Sequence, residues 1–551
     1  MPNNIELLDL LLTNRGIPIE ERDRFLNPSY EKHLYDPYLM KNMERVCVRI
    51  FESVEANEKI VVYSDYDCDG IPAAVIMHDF FTKIGYANFS IYIPDRHDEG
   101  YGLHRDAIDK FIDNNVNLLI TFDLGITAVE EVAHAQASGI DVIITDHHLP
   151  QADIPRAYAI LNPKQIGCMY PDKMLCGAGV AFKLLQALII KYGEYWKINN
   201  GWEKWLLDMA GVATLSDQVP LIDENRVLAY FGLKVLQKGR RPGLVELFKK
   251  ASVDITKLNE EDVTFTLAPR INAASRMSDP SKAYGMLSTT DLVEARVLAD
   301  YLAKINDERK IVVAHIMKDV KNILHKREIK SLIVIGNPTW RIGVLGIIAS
   351  KIVDEYKCPA FVWGGDGNGD IKGSCRGYGN ANLVEMMTLL PENSLLGFGG
   401  HKGAGGFSVS HEEVHFLEER LVAVFNNSVI DEKNEKEYFI DAPIAIDDVN
   451  IENFNIINKL APFGMGNPKP TFLFEGIKIF SIKEFGKEKN HLELSFKTDR
   501  GRIVKAISFF KTRLSFDPAL ELGSVINLVA TFEKSTFAGR TELRLRITDI
   551  I

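Results

Sequence analysis

Between Lys59 and about Pro220, short β-branched runs alternate with helical stretches. Runs at 60–63, 89–93, 118–122, 142–145 and 159–161 are interleaved with helical patterns at 71–84, 104–114, 128–138 and 178–192. That alternation calls for βαβ units and an α/β fold built on a parallel sheet. Ligand sites of such sheets lie beyond the carboxyl ends of the strands. Those ends carry Asp65, Asp67 and Asp69, then Asp123, then Asp146, His147 and His148. Read as extended backbone, positions i, i+2 and i+4 project to one side, so Asp65, Asp67 and Asp69 are expected to converge on one point. Three carboxylates held together repel one another unless a cation lies between them. An acidic turn that merely caps the next helix needs one carboxylate, not three. Asp217, in Ser216-Asp217-Gln218, comes from a separate segment and is a further candidate ligand. Oxygen and imidazole donors without thiolate suit Mn²⁺ or Mg²⁺ better than structural zinc. Cys68 is expected to face away from the cluster, as packing.

The remaining chain is read as supporting this site or delivering a substrate to it. At 551 residues it exceeds one hydrophobic core. No apolar run approaches the roughly 18 residues of a membrane span, and the amino-terminal residues lack a secretory pattern. The six cysteines include no Cys-x-x-Cys pair, which points to a reducing, cytoplasmic setting. Net charge is −11, yet residues 471–551 hold 14 Lys+Arg against 10 Asp+Glu. The basic end of the chain is thus the expected nucleic-acid surface, and a merely solvated β surface is the bland reading of the same charge.

Residues 1–56 read as a small helical leader packed on the next domain, and 57–235 as the catalytic α/β domain. Residues 236–328 read as a helical connector ending in a long charged helix, 291–326. Within it, Arg270, Asn272 and Arg276 lie in an expected polar loop. Residues 329–430 read as a second, smaller α/β domain with glycine-rich runs around Ser374, Arg376, Gly399, Gly400 and His401. Small residues there would let backbone amides approach a phosphate closely. Residues 437–551 carry short alternating strands, the pattern of a small β-barrel, which resemblance to a known family, and not the pattern, makes OB-like.

Asp65-Tyr66-Asp67-Cys68-Asp69-Gly70, Gly100-Tyr101-Gly102-Leu103, Asp123-Leu124-Gly125, Asp146-His147-His148 and Gly399-Gly400-His401 occur in that order. In this the chain resembles the DHH phosphoesterase superfamily and, within it, the RecJ family of single-strand-specific exonucleases. Arg15-Gly16-Ile17, Phe25-Leu26-Asn27-Pro28, Cys176-Gly177-Ala178-Gly179-Val180 and Leu460 to Pro468 extend the resemblance along nearly the whole chain. The resemblance implies 5′→3′ hydrolysis of single-stranded DNA in repair and recombination, with two divalent cations, Mn²⁺ or Mg²⁺. It implies that Asp65 and Asp67 serve one ion, that Asp69, His147 and Asp217 serve the other, and that Asp123 bridges them. His148 would contact the scissile phosphate, with Asp146 behind it. Arg270, Asn272, Arg276, Ser374, Arg376, Gly399, Gly400 and His401 would grip the strand. Implied partners are single-stranded DNA, a single-strand-binding protein and a helicase, with no membrane, and the chain is expected to be a monomer.

Departures from the family pattern fall on the gripping side: Arg341 where histidine is usual, Gly377 after Arg376 where serine is usual, Ser275 where glycine is common, and Ala404 after Gly403. Two other functions are compatible with the same ligands. One is a phosphodiesterase for short oligonucleotides or RNA, whose members are usually shorter. The other is a non-enzymatic replication scaffold, whose members tend to lose ligands.

Overall fold

The computed structural model describes residues 4–365, 371–427, 439–516, 518–537 and 540–551. It divides into two compact units. The larger comprises Pro37–Asp217 and Lys234–Glu435; the smaller comprises Met1–Asp36, Gln218–Leu233 and Lys436–Ile551.

The larger unit contains the expected parallel sheet. Its strands are β1 (Ile60–Ser64), β2 (Phe89–Tyr92), β3 (Leu118–Phe122), β4 (Asp141–Thr145) and β5 (Ala159–Leu161), in the order β2-β1-β3-β4-β5, all parallel. β1 and β3 are buried along their whole length, because helices cover both faces of the sheet. Val61, Tyr63, Leu119, Val142 and Ile144 pack against Ile108, Phe111 and Val132 on one side. Helices Gly70–Lys83 and Gly177–Tyr192 pack on each other and on β1 and β3 from the other side.

A second sheet in this unit has β6 (Ile333–Asn337), β7 (Ala360–Gly364), β8 (Ile371–Arg376), β9 (Gly397–His401) and β10 (Ala404–Val409), ordered β6-β7-β8-β10-β9. Only β6 and β7 run parallel; the rest are antiparallel. The helix Leu292–Leu324 joins the two sheets. Its last turns bury Val313, Ile316, Val320 and Leu324 against β6, β7 and the helix Leu345–Tyr356. Asp291 caps its start, accepting from the amides of Val293 and Glu294.

Arg270, Asn272 and Arg276 lie not in a loop but in the helix Ala268–Met277. Pro269 stands in its first turn, where a missing N–H costs nothing and a fixed φ favours the helix. The polar residues had suggested a loop, yet Ile271, Ala274 and Ser275 give the segment a buried face.

The smaller unit is organised on β11 (Ala442–Pro443), β12 (Thr471–Phe485), β13 (His491–Lys497), β14 (Ile503–Ser508), β15 (Val525–Phe537) and β16 (Arg540–Ile550). The order β12-β13-β14-β16-β15 closes through a β12–β15 pairing, with bulges in β12 that bend it round the barrel. The expected leader does not pack as one layer on the next domain. Leu7, Leu11 and Leu12 of its first helix join the barrel's core with Ile456, Leu460 and Phe472, and only the segment from Pro37 onward belongs with the parallel sheet. Arg15 holds the leader there: Nε pairs with Asp441 at 2.9 Å, Nη1 donates to Asn467 at 2.6 Å and Nη2 to the Pro468 carbonyl at 2.7 Å. No described helix is long and apolar enough to cross a membrane.

Candidate metal centre

The backbone after β1 is a turn, not an extension of the strand. Asp65, Asp67 and Asp69 therefore do not meet at one point, as alternation would require; they are shared between two ligand groups. In the first, Asp65, Asp67 and Asp123 bring carboxylate oxygens within 4.8 Å of one another. In the second, Asp69, His147 and Asp217 do the same. The His147 Nε2 atom lies 3.1 Å from Asp123 Oδ1, 3.7 Å from Asp69 Oδ2 and 3.8 Å from Asp217 Oδ2. Ligands around an octahedral ion of the Mg²⁺ class are separated by roughly 3 Å when adjacent and about 4 Å when opposite. These spacings fall in that range.

Neighbouring backbone fixes the turn. Asp67 Oδ1 accepts from the amides of Asp69 and Gly70, closing the first turn of the helix Gly70–Lys83. The Cys68 amide donates to Asn272 Oδ1 at 2.8 Å, and the Cys68 carbonyl accepts from Ser216 Oγ at 2.9 Å. Asn272 thus braces the aspartate turn, while the buried Cys68 side chain packs. Gly70 is required by crowding, since a Cβ there would lie 2.4 Å from the Asp65 carbonyl.

Asp69 reaches the amino end of the helix Gly177–Tyr192. Its Oδ2 accepts from Gly177 N at 2.6 Å and its Oδ1 from Ala178 N at 2.7 Å. The two amides and the helix dipole stabilise a negative charge that burial disfavours. Asp123 adopts a left-handed backbone, φ +63°, which aspartate tolerates better than most residues and which costs about 1–3 kcal/mol. Its amide nevertheless bonds to the Thr145 carbonyl, so the strain directs the side chain without breaking the edge of the sheet.

Burial and mutual repulsion raise the pKa values of four of these carboxylates. Asp65 and Asp123 lie well above the usual carboxylate range, first because they are buried and then because other aspartates face them. The same causes push Asp69 up to about 6 and Asp217 to about 8. Burial lowers His147 to about 3, so its imidazole is neutral and able to ligate. Asp65 Oδ1 and Asp123 Oδ1 are buried without a hydrogen-bond donor. Orphaned buried oxygens facing other carboxylates are the donor set of a divalent cation.

Asp146 has a different role. Its Oδ1 accepts from the amides of His147 and His148 and lies 2.8 Å from His148 Nδ1, while Oδ2 accepts from Ile126 N. Burial opposes its charge, but these bonds win and bring it down to about 2. Burial likewise opposes a charged His148, yet Asp146 raises it to about 9.

A cavity of about 470 Å³ opens over both groups. Asp65, Asp67, Asp123, His147, His148 and Asp217 line one wall, and Arg276, Ser374, Arg376 and His401 the other. Arg270, Gly399 and Gly400 do not line it. Arg270 bonds to the Thr266 carbonyl one turn back, and the two glycines lie on the exposed edge strand β9. Tyr101, of the Gly100-Tyr101-Gly102 motif, lines the cavity without having been assigned a role, and Arg96 lines it without having been singled out in the sequence. The signal for Arg96 was its nearness to that motif. The Gly177 and Ala178 amides were equally hidden, because a backbone donor leaves no residue-type signature.

Comparison with known proteins agrees with this geometry. The model of the DHH family, N-terminal domain, matches residues 59–214, and that of the RecJ OB domain matches 440–549. The single-stranded-DNA-specific exonuclease RecJ of Bacillus subtilis is 36% identical over 549 residues, 98% of this chain and 67% of that protein. Its Haemophilus influenzae namesake is 31% identical, covering 99% of this chain and 96% of that one. The crystal structure of RecJ in complex with Mn²⁺ from Thermus thermophilus superposes with a TM-score of 0.82 at 26% identity, over 99% of this chain and 76% of that one. By its domains, its topology and this extent of identity, the chain belongs to the RecJ family of DHH proteins.

Proposed function

We propose that this chain is a divalent-metal-dependent exonuclease specific for single-stranded DNA, acting 5′→3′ with two ions. The observation that carries the reading is the pair of ligand groups, with Asp123 of the first lying 3.1 Å from His147 of the second, within a chain that aligns over nearly its whole length with RecJ exonucleases. Asp65, Asp67 and Asp123 would hold one ion, and Asp69, His147, Asp217 and Asp123 the other. Such a pair lowers the pKa of water, clamps a phosphodiester and stabilises the leaving oxygen, so no covalent nucleophile is needed.

The protein's own residues do the rest. Gly177 N and Ala178 N keep Asp69 ionised and aimed. Asp146 holds His148 charged, so that its free nitrogen can donate to a phosphate oxygen. Arg276, Ser374, Arg376, His401 and Arg96 face the ligand wall across the cavity and would bind the end of the strand. Of the departures from the family pattern, Ala404 lines the cavity, whereas Ser275, Arg341 and Gly377 do not. The barrel would hold the incoming strand through stacking and backbone charge. A monomer working in the cytoplasm beside a single-strand-binding protein and a helicase fits this activity.

The test uses single-stranded DNA labelled at either end, with Mn²⁺ or Mg²⁺, beside RNA and a dinucleotide. Mononucleotide release from the 5′ label is expected. Cleavage confined to the dinucleotide or to RNA would replace this reading with a short-oligonucleotide or RNA phosphodiesterase. No cleavage with any divalent ion would end the enzymatic reading.

A further inference from the structure

The smaller unit carries an aromatic cluster where β12, β13 and β14 come together at their ends. Phe485 closes β12 opposite His491, which opens β13, and Phe509 follows the last residue of β14. The His491 ring lies 5.2 Å from Phe485 and 5.2 Å from Phe509, edge to face in both cases. Arg546 of β16 sets its guanidinium 4.1 Å over the Phe509 ring. Phe485, His491, Phe509 and Arg546 are half-buried. Phe510 stands on them and is 80% exposed, its ring 4.9 Å from His491 and nearly perpendicular to it. Its backbone is left-handed, φ +57°, a conformation that a bulky side chain rarely adopts. Its amide donates to His491 Nδ1 at 3.0 Å, and the Arg513 amide donates to Glu484 Oε1 at 3.1 Å, tying the loop to β12.

A single exposed apolar side chain is ordinary on a protein surface. Phe510 differs because a strained backbone and a dedicated hydrogen bond hold it outward, and such strain persists where function uses it. Charge indicates what covers the ring. From Lys483 to Phe516 the chain carries 9 Lys+Arg against 4 Asp+Glu, while the remainder of 471–551 carries 5 against 6. The basic excess of the barrel is thus confined to the segment that holds Phe485, His491, Phe509 and Phe510. Glu533 lies 4.0 Å from Arg546 Nε, but Arg544 engages it more closely, at 3.1 Å. A flat exposed ring among cations suits a nucleobase with phosphates on either side. A second copy of this chain would instead set like charge against like.

We propose that Phe510 stacks on a base of the bound single strand, and that His491 is the residue that positions it. This deepens the nuclease reading above, which supplies the strand. Every base has a π-face, so a ring fixed in this way adds affinity without choosing a sequence.

The experiment measures binding by fluorescence anisotropy in EDTA, on an oligothymidylate and on an abasic strand with the same number of phosphates. Phe510→Ala is expected to bind the oligothymidylate about tenfold more weakly, the loss of one base stack, with Phe510→Trp recovering most of it. On the abasic strand Phe510→Ala and the unaltered chain should bind equally. The slope of log affinity against log [KCl] should not change, because stacking releases no counterion. His491→Asn, whose amide oxygen can still accept from the Phe510 amide, should keep more affinity for the oligothymidylate than His491→Ala. Equal binding of the oligothymidylate by Phe510→Ala and the unaltered chain overturns the proposal, and loss of a dimer in that variant would then assign the face to a second copy. An equal loss on the abasic strand also overturns it, because the ring would then support the fold rather than a base. Failure of the unaltered chain to cut single-stranded DNA with Mn²⁺ would instead overturn the nuclease reading and leave the binding result standing.

Discussion

A Cβ on Gly177 would lie 2.6 Å from the Cβ of Asp123 and 2.7 Å from its Oδ1. The first residue of one helix is thus small because a carboxylate from another strand end occupies its side-chain space. The Gly177 amide, meanwhile, binds Asp69. One position sets two of the six candidate ligand side chains.

Gly177→Ala should accordingly disable the centre while leaving the fold intact. Overpacking of this kind costs about 1–3 kcal/mol, and displacement of a reacting group by about 1 Å can cost 100-fold in rate. The expected outcome is a loss of about 100-fold or more in Mn²⁺-dependent cleavage, with a folded circular-dichroism spectrum. Activity within a few-fold of the unaltered chain would show that Asp123 can move without consequence.

Calorimetric titration with Mn²⁺ should return two ions per chain. Asp217→Ala should retain one, since the Asp65, Asp67 and Asp123 group does not include it, whereas Asp123→Ala should weaken both, because Asp123 Oδ1 also lies 3.1 Å from His147 Nε2 of the second group. Two full-affinity ions in Asp123→Ala would refute the shared ligand. Addition of Mn²⁺ should also raise Tm, because relieving repulsion among five carboxylates favours the folded state.

The Asp146–His148 pair predicts a pH signature in metal-free protein. Asp146 is depressed to about 2, so its contribution is present above the ordinary carboxylate value near 3.8 and is lost as pH falls from there towards 2. His148 is raised to about 9, so its contribution is complete below about 6.5 and disappears as pH rises towards 9. In EDTA, the Tm difference between the unaltered chain and His148→Gln should be greatest near pH 5–6 and shrink towards pH 9. A difference that grows with pH would show that Asp146 does not hold His148 charged.

Arg241 pairs at 2.7 Å with Asp208 and at 2.8 Å with Asp79, all three largely buried. Arg241→Ala leaves two carboxylates facing each other and should destabilise the larger unit by about 3–5 kcal/mol. Thermal melting checks this. Asp79→Asn together with Asp208→Asn should recover part of the loss in the Arg241→Ala background. No recovery would mean that packing of the long side chain, not charge, is what is lost.

By itself the sequence determined the parallel sheet and named the candidate ligands. β-branched runs and helical spacing are local signals, and Asp123, Asp146, His147 and His148 stand within one to three residues of strand ends that such signals locate. The barrel was legible for the same reason. What only the tertiary structure decided was the backbone path that divides the acids, a division the family resemblance implies and alternation does not. Alternation suggested that Asp65, Asp67 and Asp69 share one point. The chain instead turns after Ser64, because Asp67 takes the Asp69 and Gly70 amides and Asn272, 204 residues away, takes the Cys68 amide before them. The polar loop proved to be the helix Ala268–Met277, and the leader joined the barrel through Arg15, Asp441 and Asn467. The physical reason is common to these cases. Side-chain identity is written residue by residue, whereas backbone donors such as Gly177 N and long-range partners such as Asn272 become visible only when distant segments are brought within hydrogen-bonding distance.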